Sequence, residues 1–470
     1  MSRPDTVAVA RASRAAYTDP AAARASLREL ARALGWGAGA DDETPFARLV
    51  PAGARVVVKP NWVLHDNRGP WGIEPLVTHS MLIRTVVEEL LGTAAARVTV
   101  GDAPLQECDF ERLVEVNGIA PWARELAARE PRFRGPLDYR RTKSTEVDGV
   151  RMEREGLVPL DRFVLFDLGG DSLLEPIAGD GRFRVTVYPP DELAKTHARG
   201  RHQYLVARDI IEADVVVNMP KLKTHKKAGV TCALKNLIGI NGNKEFLPHH
   251  RLGGSGSGGD CYPGADPVKQ ALEFVFDRAN STRSHTARRA WHLGKRALDR
   301  VLHERGDEVG VEGAWSGNDT IWRTCLDLNR VLLYGRVDGT LAPTPQRRVV
   351  HVVDAIVAGQ GDGPLNAEPL DLGLLLAGSS AAAVDHVGSR LLGYDPALIP
   401  IVSHAFDHFS WPLVDFPASD VQVIGALGSG RADELVHAAE GELHYPPGWR
   451  DAVAPNEKTR NTRGPSLRET

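Results

Sequence analysis

Short runs of valine, isoleucine and leucine alternate with segments of helical spacing along this chain, and this alternation restricts the fold more than any other feature. Within each run the apolar residues are nearly continuous, which is typical of strands that are covered on both faces by helices. The pattern predicts an α/β fold with a mainly parallel sheet flanked by helices. The predicted strands are residues 6–10, 55–58, 97–100, 163–167, 184–188, 213–217, 349–353, 372–378 and 421–425.

Helical spacing also predicts the layers around this sheet and one insertion. The predicted helices of the core are 20–34, 79–92, 107–130, 201–212 and 380–392. A strongly helical segment at 265–306, with many arginines and histidines on one side, predicts an insertion at 263–330 that forms a cap or second lobe. Because 470 residues exceed one comfortable core, we expect an α/β core made of 1–262 and 331–445. A flexible tail is expected at 446–470.

The composition is that of an ordinary globular protein, with 42% apolar residues, 25% charged residues and a net charge of −4. No stretch approaches the roughly 20 apolar residues of a membrane span, and the N-terminus has no pattern of a secretory signal. A cytoplasmic protein without a membrane span is therefore expected. The four cysteines form no CxxC pair, so we expect unpaired thiols rather than a zinc ribbon or an iron–sulfur cluster.

Polar clusters follow four of the predicted strands at the point where each strand ends. The carboxyl ends of parallel strands share one edge of the sheet, where ligands normally bind. The residues expected to converge there on one cleft are Lys59, Asn61, Asp102, Asn218, Lys221 and Asp354. Asp102 and Asp354 are candidate acid–base groups, whereas Lys59 and the two asparagines are candidate contacts to the substrate. A helix cap or a turn is the alternative interpretation of these polar residues.

The segment from Asn218 to Arg251 concentrates basic residues in a slightly acidic chain. It holds seven Lys or Arg, three His and one acidic residue, and we predict a loop here that directly follows a buried strand. A buried lysine is costly unless it is paired, so Lys235, which interrupts an apolar stretch, should meet a carboxylate or an anionic ligand. The segment favours an anion pocket in which Lys221, Lys223 or Lys235 binds the anion or is a general base, with Lys221 and Lys235 the first candidates for the base and Lys223 for the binding. A solvated basic face is the alternative.

Further candidates come from the rest of that segment and from the end of the insertion. Those predicted to contact the substrate are His225, Asn236, Asn241, Lys244, Arg251, Asn318, Asp319 and Arg323. His249, His250 and Asp260 form a candidate metal-ligand set, and His250 is also a candidate for acid–base work, although no HExxH motif is present. Asp319, Arg323 and Asp327 share a helical face, for which a salt-bridge ladder is the alternative.

Standard nucleotide and nucleic-acid sites are disfavoured. The glycines at 359–363 lack GxGxxG spacing, and the chain contains no GxxxxGK[ST] motif. Few aromatic residues lie among the lysines and the overall charge is negative, so a nucleic acid is not an expected partner. The expected partner is a small anionic metabolite, and a homo-oligomer is left open.

Six stretches together resemble the domain-of-unknown-function family 362: VVVKPNWV, GDAP, NMPKLKTHKKAGVTCALKNLIGINGNKEFLPHH, GNDTIWR, DAIVAGQGDGP and AAAVDHVGSRLLG. The resemblance covers about residues 50–400 and is most specific at 213–254. Several members of the family carry a cysteine-rich ferredoxin segment that this sequence lacks, so no built-in iron–sulfur cluster is expected. Members without that segment are similar to accessory enzymes of biosynthetic pathways. The resemblance therefore implies a biosynthetic role and supplies no reaction.

These observations predict a cytoplasmic enzyme that acts on a small carboxylated or phosphorylated metabolite. Proton abstraction beside a carboxylate, as in an isomerase or epimerase, fits the lysines and carboxylates best, with or without a divalent metal. An oxidoreductase with a bound metal or a soluble cofactor is one alternative. A non-catalytic accessory protein that binds an acidic ligand is another. The sequence leaves the substrate, the metal and the oligomeric state open.

Overall fold

The computed structural model describes residues 3–37, 44–147, 150–155, 158–179, 181–185, 188–282 and 284–453. Its main feature is an 11-stranded sheet. Nine strands follow one another across it in the order Gly430–Arg431, Gln422–Gly425, Thr6–Arg11, Glu368–Gly378, Arg348–Gln360, Val215–Met219, Arg55–Pro60, Arg97–Asp102 and Phe133–Asp138. Two further strands, Lys221–His225 and Gly229–Thr231, continue from the strand at 348–360.

Most neighbouring strands of this sheet run parallel. Val215–Met219 lies between Arg55–Pro60 and Arg348–Gln360 and is parallel to both, and Arg97–Asp102 continues in the same direction. Glu368–Gly378 runs antiparallel to both of its neighbours. The prediction of an α/β fold with a mainly parallel sheet is therefore confirmed.

Apolar layers cover both faces of the sheet. Val56 and Val58 pack in one core with the helices Pro20–Ala33 and Ser80–Leu91, whereas Val57 packs in a different core. Successive side chains of a strand point to opposite faces, so burial on both faces requires an apolar residue at every position. This is why the strand carries three consecutive valines.

The helices agree with most of the predicted positions. In the described residues the α-helices are Pro20–Ala33, Ser80–Leu91, Phe110–Val116, Ile119–Arg129, Pro190–Thr196, Arg208–Ile211, Ala233–Asn236, Pro267–Ser281, His285–Glu304, Ile321–Tyr334, Ala381–Leu391, Pro400–Ser403 and Ala432–Leu435. The predicted helix at 107–130 is divided by the left-handed residue Gly118. The proposed division into a core, an insertion and a tail stays a prediction, and residues 454–470 lie outside the described part.

The predicted helix at 201–212 is wrong over most of its length. Arg201–Ala207 is a strand that pairs antiparallel with Phe163–Asp167, and the helix is limited to Arg208–Ile211. The alternate side chains of His202 and Tyr204 are buried, which is the two-residue period of a strand. The smaller strands in the described residues are Phe163–Asp167, Arg201–Ala207, His197–Ala198, Phe183–Arg184, His250–Arg251, Thr142–Val147 and Val150–Glu155.

Three corrections concern the segments in and around the candidate site. The basic segment after residue 219 is not a loop at first, since Lys221–His225 and Gly229–Thr231 pair as antiparallel strands. The strand predicted at 349–353 extends to Gln360 because it continues to pair with Glu368–Gly378 beyond a bulge. The strand predicted at 184–188 is limited to Phe183–Arg184, and residues 186–187 lie outside the described part. Among the described residues, no helix is long and apolar enough to cross a membrane.

Candidate functional site

A hydrogen-bonded network joins the carboxyl ends of neighbouring strands. Lys59 and Asp102 form a buried ion pair with 2.7 Å between Nζ and Oδ1. Asp102 also accepts from the backbone N–H groups of Trp62 and Ala103 at 2.7 and 2.9 Å. Burial raises the pKa of the Asp102 carboxyl and lowers the pKa of Lys59, and the attraction between the two groups opposes both shifts. With three donors on its two oxygens, Asp102 positions Lys59 and the chain beside it.

Three asparagine side chains extend the network. Asn236 Nδ2 donates to Asn218 Oδ1 at 2.7 Å, and Asn236 Oδ1 accepts from Asn61 Nδ2 at 2.9 Å and from Lys59 Nζ at 3.2 Å. Asn218 Nδ2 donates to the carbonyl of Ala233 at 3.0 Å, which holds the helix of Asn236 against the sheet. The predicted site residues that direct contacts bring together are Lys59, Asn61, Asp102, Asn218 and Asn236.

A cavity of about 290 Å³ lies against this network. Its cationic lining residues are Lys59, Arg68, Lys223, Lys226, Lys227, Lys235 and Lys244. Its carboxylates are Asp102, Glu107 and Glu312. Seven cations against three carboxylates in the lining make the cavity a place where negative charge is favoured.

Two of the cavity lysines have no protein partner in the part of the chain that the structure describes. Lys235 is buried and Lys244 is half-buried, and neither ammonium group forms an ion pair or a hydrogen bond with a described residue. Burial lowers the pKa of Lys235. Burial, followed by the charge of Lys235, lowers the pKa of Lys244 to about 7. Lys235 therefore carries the cost of desolvation without a counter-ion from the described residues. Lys244 is half-buried and is attracted by Asp102, so it carries only part of that cost.

Other cavity lysines do have protein partners. Lys223 Nζ donates to the backbone carbonyl of Leu76, and burial followed by nearby lysines lowers its pKa well below the ordinary value. Lys226 Nζ lies 3.4 Å from Glu312 Oε2. Although burial opposes it, the charges of Lys227 and Lys226 hold the pKa of Glu312 at about 2. These contacts set Lys235 and Lys244 apart from the rest of the lysine cluster.

Two histidines of the cavity are held as different neutral tautomers. His225 Nδ1 accepts from the backbone N–H groups of Lys227 and Ala228 at 3.1 and 3.2 Å, so its proton is on Nε2. His249 Nδ1 lies 2.6 Å from the carbonyl of Leu247, so Nδ1 carries the proton and Nε2 is an acceptor. Burial first, and then neighbouring lysines, lower the pKa of both imidazoles well below the ordinary value. The cavity lining thus contains one imidazole donor and one imidazole acceptor.

Lys221 and Asp354 do not join the cleft predicted for them. Lys221 Nζ lies 2.6 Å from Asp354 Oδ2, and both side chains are fully buried. Tyr17 OH donates to Asp354 Oδ1 at 2.6 Å and accepts from Lys221 at 3.0 Å. Burial and the charge of Asp354 raise the pKa of Tyr17. Neither Lys221 nor Asp354 lines the cavity, since Asp354 lies six residues before the end of its strand at Gln360.

The predicted metal-ligand set is not assembled. In the described residues, no group of three or more His, Cys, Asp or Glu side chains lies close enough to hold a metal ion. Asp260 instead accepts from Thr320 Oγ1 at 2.5 Å and from the backbone N–H of Asp319 at 3.1 Å, which ties the glycine-rich stretch to the start of the helix at 321–334. His250 is buried outside the cavity lining, and its Nδ1 lacks a partner among the described residues.

The remaining predicted contacts hold the loops around the cavity and do not line it. Asn318 Oδ1 accepts from Thr320 N–H at 3.0 Å, and Asn318 Nδ2 donates to the carbonyl of His249 at 2.9 Å. Arg323 pairs with Asp319 at 2.9 Å, which is the predicted ladder, but Asp327 pairs with Arg330 instead. The residues with such supporting positions are Asn241, Arg251, Asn318, Asp319 and Arg323.

The cavity also contains residues that the sequence did not single out. Arg68, Gln106 and Glu312 line it together with Lys226 and Lys227. Lys226 and Lys227 belong to the basic segment, so the concentration of basic residues there could have indicated that they line the cavity. Glu312 lies far along the chain, between the helices at 285–304 and 321–334, and no local pattern indicated that it would pair with Lys226.

A family model covers most of the region that forms this site. The model described as a domain of unknown function, DUF362, matches residues 56–151 and 180–390, which is more than half of the chain. The chain belongs to the DUF362 family. The DUF362 region includes the lysine cavity and its asparagine network, and the family description states no function.

Individual relatives of this DUF362 chain are more distant. The thylakoid-associated protein sll1697 of Synechocystis sp. (strain ATCC 27184 / PCC 6803 / Kazusa) is 25% identical over 223 residues, which cover 47% of this chain and 44% of the relative. The chain thus matches less than half of that protein's length. The lactate racemase apoprotein of Thermoanaerobacterium thermosaccharolyticum is 12% identical, with coverage of 84% and 59% and a TM-score of 0.31. A protein of Thermotoga maritima is 11% identical, with coverage of 75% and 53% and a TM-score of 0.31.

Proposed function

We propose that the cavity binds a small metabolite that carries a carboxylate or a phosphate, and that the protein transfers a proton on this metabolite. The observation that supports the binding proposal most directly is the pair of Lys235 and Lys244, which have no ion-pair or hydrogen-bond partner among the described residues. A buried cation without a counter-charge is costly, and a bound anion would remove that cost. A solvated basic face does not account for Lys235, since this side chain is buried. A cytoplasmic location and a biosynthetic pathway are part of the proposal.

Lys244 is the best candidate for the base in this proposal. A lysine accepts a proton only as the neutral amine, and a pKa of about 7 leaves a large neutral fraction at neutral pH. Asp102 is less suitable, because its oxygens already accept three hydrogen bonds. In this proposal the Lys59–Asp102 pair instead holds in place the part of the hydrogen-bonded network that faces the substrate.

The proposed step moves one proton and one electron pair. The neutral amine of Lys244 takes the proton from the carbon beside the substrate carboxylate and becomes an ammonium group. The electron pair of the broken C–H bond moves into the carboxylate, whose increased negative charge Lys235 stabilises. A water molecule on the opposite face returns a proton to the same carbon, which completes an epimerisation, and the Lys244 ammonium group gives its proton to the hydroxide that remains. In a substrate with a conjugated double bond, protonation at the far end of that bond completes an isomerisation.

Calorimetric titration with sulfate, phosphate and malonate tests the binding proposal. We expect native protein to bind at least one of these anions and the Lys235→Met and Lys244→Met variants to bind it about ten-fold or more weakly. Lys195→Met is the matched control, because Lys195 is an exposed lysine paired with Glu192 on the surface. Equal anion affinity in all four proteins would contradict the proposal.

Proton exchange separates catalysis from binding alone. Carboxylated and phosphorylated metabolites that stabilise the protein are incubated with it in D₂O, and loss of the proton beside the carboxylate is followed by NMR. We expect exchange with native protein and little exchange with Lys244→Met. Tight binding without any exchange would instead support a non-catalytic protein that binds an acidic ligand.

A further inference from the structure

A second cavity, of about 530 Å³, adjoins the lysine cavity. Arg68, Gln106 and Glu107 line both, and Arg68 forms an ion pair with Glu107 where the two cavities meet. Small-molecule sites usually measure roughly 300–1,000 Å³. The lysine cavity alone is at the lower end of that range, whereas the two cavities together lie well within it.

Gln106 stands out at this boundary because its buried side chain has no hydrogen-bond partner among the described residues. It is 7% exposed, and its Oε1 atom is without a partner. A buried polar group that is left unsatisfied costs about 1–3 kcal/mol, and native structures rarely contain one without a reason. A ligand that extends from one cavity into the other would supply the missing hydrogen bonds.

The two cavities also differ in the hydrogen bonds that they offer. The lysine cavity is rich in ammonium donors, whereas three carboxylates line the second cavity against two cations. Its carboxylates are Glu107, Asp109 and Glu111, and its cations are Arg68 and Lys143. The hydroxyl of Ser144 in the same lining has no partner among the described residues. Ionised carboxylates can only accept hydrogen bonds, so the second cavity favours a ligand that donates them.

We infer that the ligand has two parts: an anionic group held by the lysines, and a hydroxylated part that passes Gln106 into the second cavity. This inference rests on the proposed function, because it extends the anionic metabolite by a second group. The class of ligand is a phosphorylated or carboxylated polyol. A hydrocarbon tail of the same length would leave the acceptors of the second cavity without donors.

A set of matched phosphates tests this inference by calorimetric titration of the full chain. Glucose 6-phosphate and sorbitol 6-phosphate carry hydroxyl groups, n-hexyl phosphate carries an apolar tail of similar length, and inorganic phosphate has no tail. We expect at least one of the two sugar phosphates to bind about ten-fold tighter than inorganic phosphate, and hexyl phosphate to show no such gain. Gluconate and hexanoate form the corresponding pair if malonate is the anion preferred over phosphate.

Two variants test whether the tighter binding of the sugar phosphate depends on Gln106 at the boundary and on Ser144 in the second cavity. Gln106→Leu replaces the amide by a slightly shorter apolar side chain, and we expect the ratio of sugar-phosphate affinity to inorganic-phosphate affinity to fall about three- to ten-fold. Ser144→Ala should also lower the ratio of sugar-phosphate affinity to inorganic-phosphate affinity, but by a smaller factor. Because both variants are compared through the ratio of two ligands on one protein, a partial loss of folded protein cancels.

The outcomes separate this inference from the proposed function. If inorganic phosphate or malonate binds but no hydroxylated tail improves the affinity, or if the apolar tail improves it equally, the two-part ligand is contradicted and the anion site stands. If Gln106→Leu weakens both ligands by the same factor, Gln106 acts on the anion site and the inference also fails. If native protein binds no anion from either set, the proposed function fails together with the inference.

Discussion

Lys221 and Lys235 lie 14 positions apart in the same basic segment. Both are buried, but they differ in whether the protein supplies partners for the ammonium group. Lys221 has a complete set of protein partners in Asp354, Tyr17 and the carbonyl of Val357, at 2.6, 3.0 and 3.1 Å. Lys235 is also buried, but no described residue pairs with it. A buried cation whose partners are present has its desolvation cost largely offset, whereas one that is left unpaired lowers the stability of the fold. The difference assigns Lys221 a structural role and is the reason that the proposed function gives Lys235 to a ligand.

The strand at 221–225 shows how one segment supplies both kinds of lysine. Lys221 and Lys223 are two residues apart, so their side chains leave the same face of the strand about 6–7 Å from each other. Lys221 is opposite Asp354 in the register, whereas Lys223, beyond an irregularity, is opposite Gly359. Only the second position reaches the cavity lining. Depth along the strand therefore separates a structural lysine from a cavity lysine.

The largest expected effect comes from breaking the paired lysine. Lys221→Met leaves the Asp354 carboxylate buried without its cation, and we expect a loss of about 3–5 kcal/mol in the free energy of unfolding. Denaturant titration followed by circular dichroism measures it. The double variant Lys221→Met with Asp354→Asn should recover a large part of the loss, because the remaining side chain is neutral. A loss below about 1 kcal/mol would show that the pair is not the structural element described above.

Removing the unpaired lysine should have the opposite sign. In Lys235→Met the desolvation cost of an uncompensated ammonium group disappears, and we expect the ligand-free protein to gain about 1–3 kcal/mol in the free energy of unfolding. Its anion affinity should fall at the same time. Lys269→Met is the matched control: Lys269 is also buried but pairs with Asp307 at 2.5 Å, so its replacement should destabilise. A loss of stability in both variants would remove the distinction between paired and unpaired lysines.

The pH dependence of stability tests Lys244 in the same way. Its pKa is about 7 in the folded protein, against an ordinary value of 10.5, so the unfolded chain binds more protons between these values. Stability therefore rises with pH across that window, and the cost is present at the lower pH. We expect the increase between pH 7 and pH 9 to be about 2 kcal/mol larger in native protein than in Lys244→Met.

Sulfate does not titrate in this range, so a change of its binding affinity with pH reports the protonation of the protein, and of Lys244 in particular. It should decrease several-fold between pH 6 and pH 9 in native protein, as Lys244 loses its charge, and less in Lys244→Met. A sulfate affinity that stays constant with pH in native protein would place the pKa of Lys244 outside this window.

Much of the fold and part of the site could be predicted, because both depend on local patterns. Continuous valines predicted buried strands, and parallel strand ends predicted that Lys59, Asp102 and Asn218 would meet. Asp354 was misplaced because its strand continues through six further residues, and the strand's length depends on pairing with Glu368–Gly378. Local sequence contains no signal for a pairing of that kind.

The partners of the lysines were beyond prediction for a related reason. Glu312 reaches Lys226 from the stretch between the helices at 285–304 and 321–334, and Tyr17 reaches Lys221 from the first part of the chain. A basic segment indicates that counter-charges are needed, but it does not indicate which lysines receive them from the protein. The expectation that Lys235 meets a carboxylate or an anionic ligand stays a prediction. No described carboxylate forms an ion pair with Lys235, and the proposed function assigns a ligand to it.

The smallest effect on stability is expected for the ion pair at the exposed edge of the cavity. A variant there tests how fast a ligand enters, apart from how stable the protein is. The ion pair between Arg68 and Glu107 has exposed fractions of 53% and 21%, and an exposed pair contributes about 0–1 kcal/mol to stability. Arg68→Gln should therefore change the free energy of unfolding by less than about 1 kcal/mol. It also removes one cation from the cavity rim, so the association rate of a sugar phosphate should decrease and depend less on ionic strength. Stopped-flow measurement at two salt concentrations checks this, and a large loss of stability with an unchanged rate would place Arg68 with the structural lysine Lys221 rather than with the cavity.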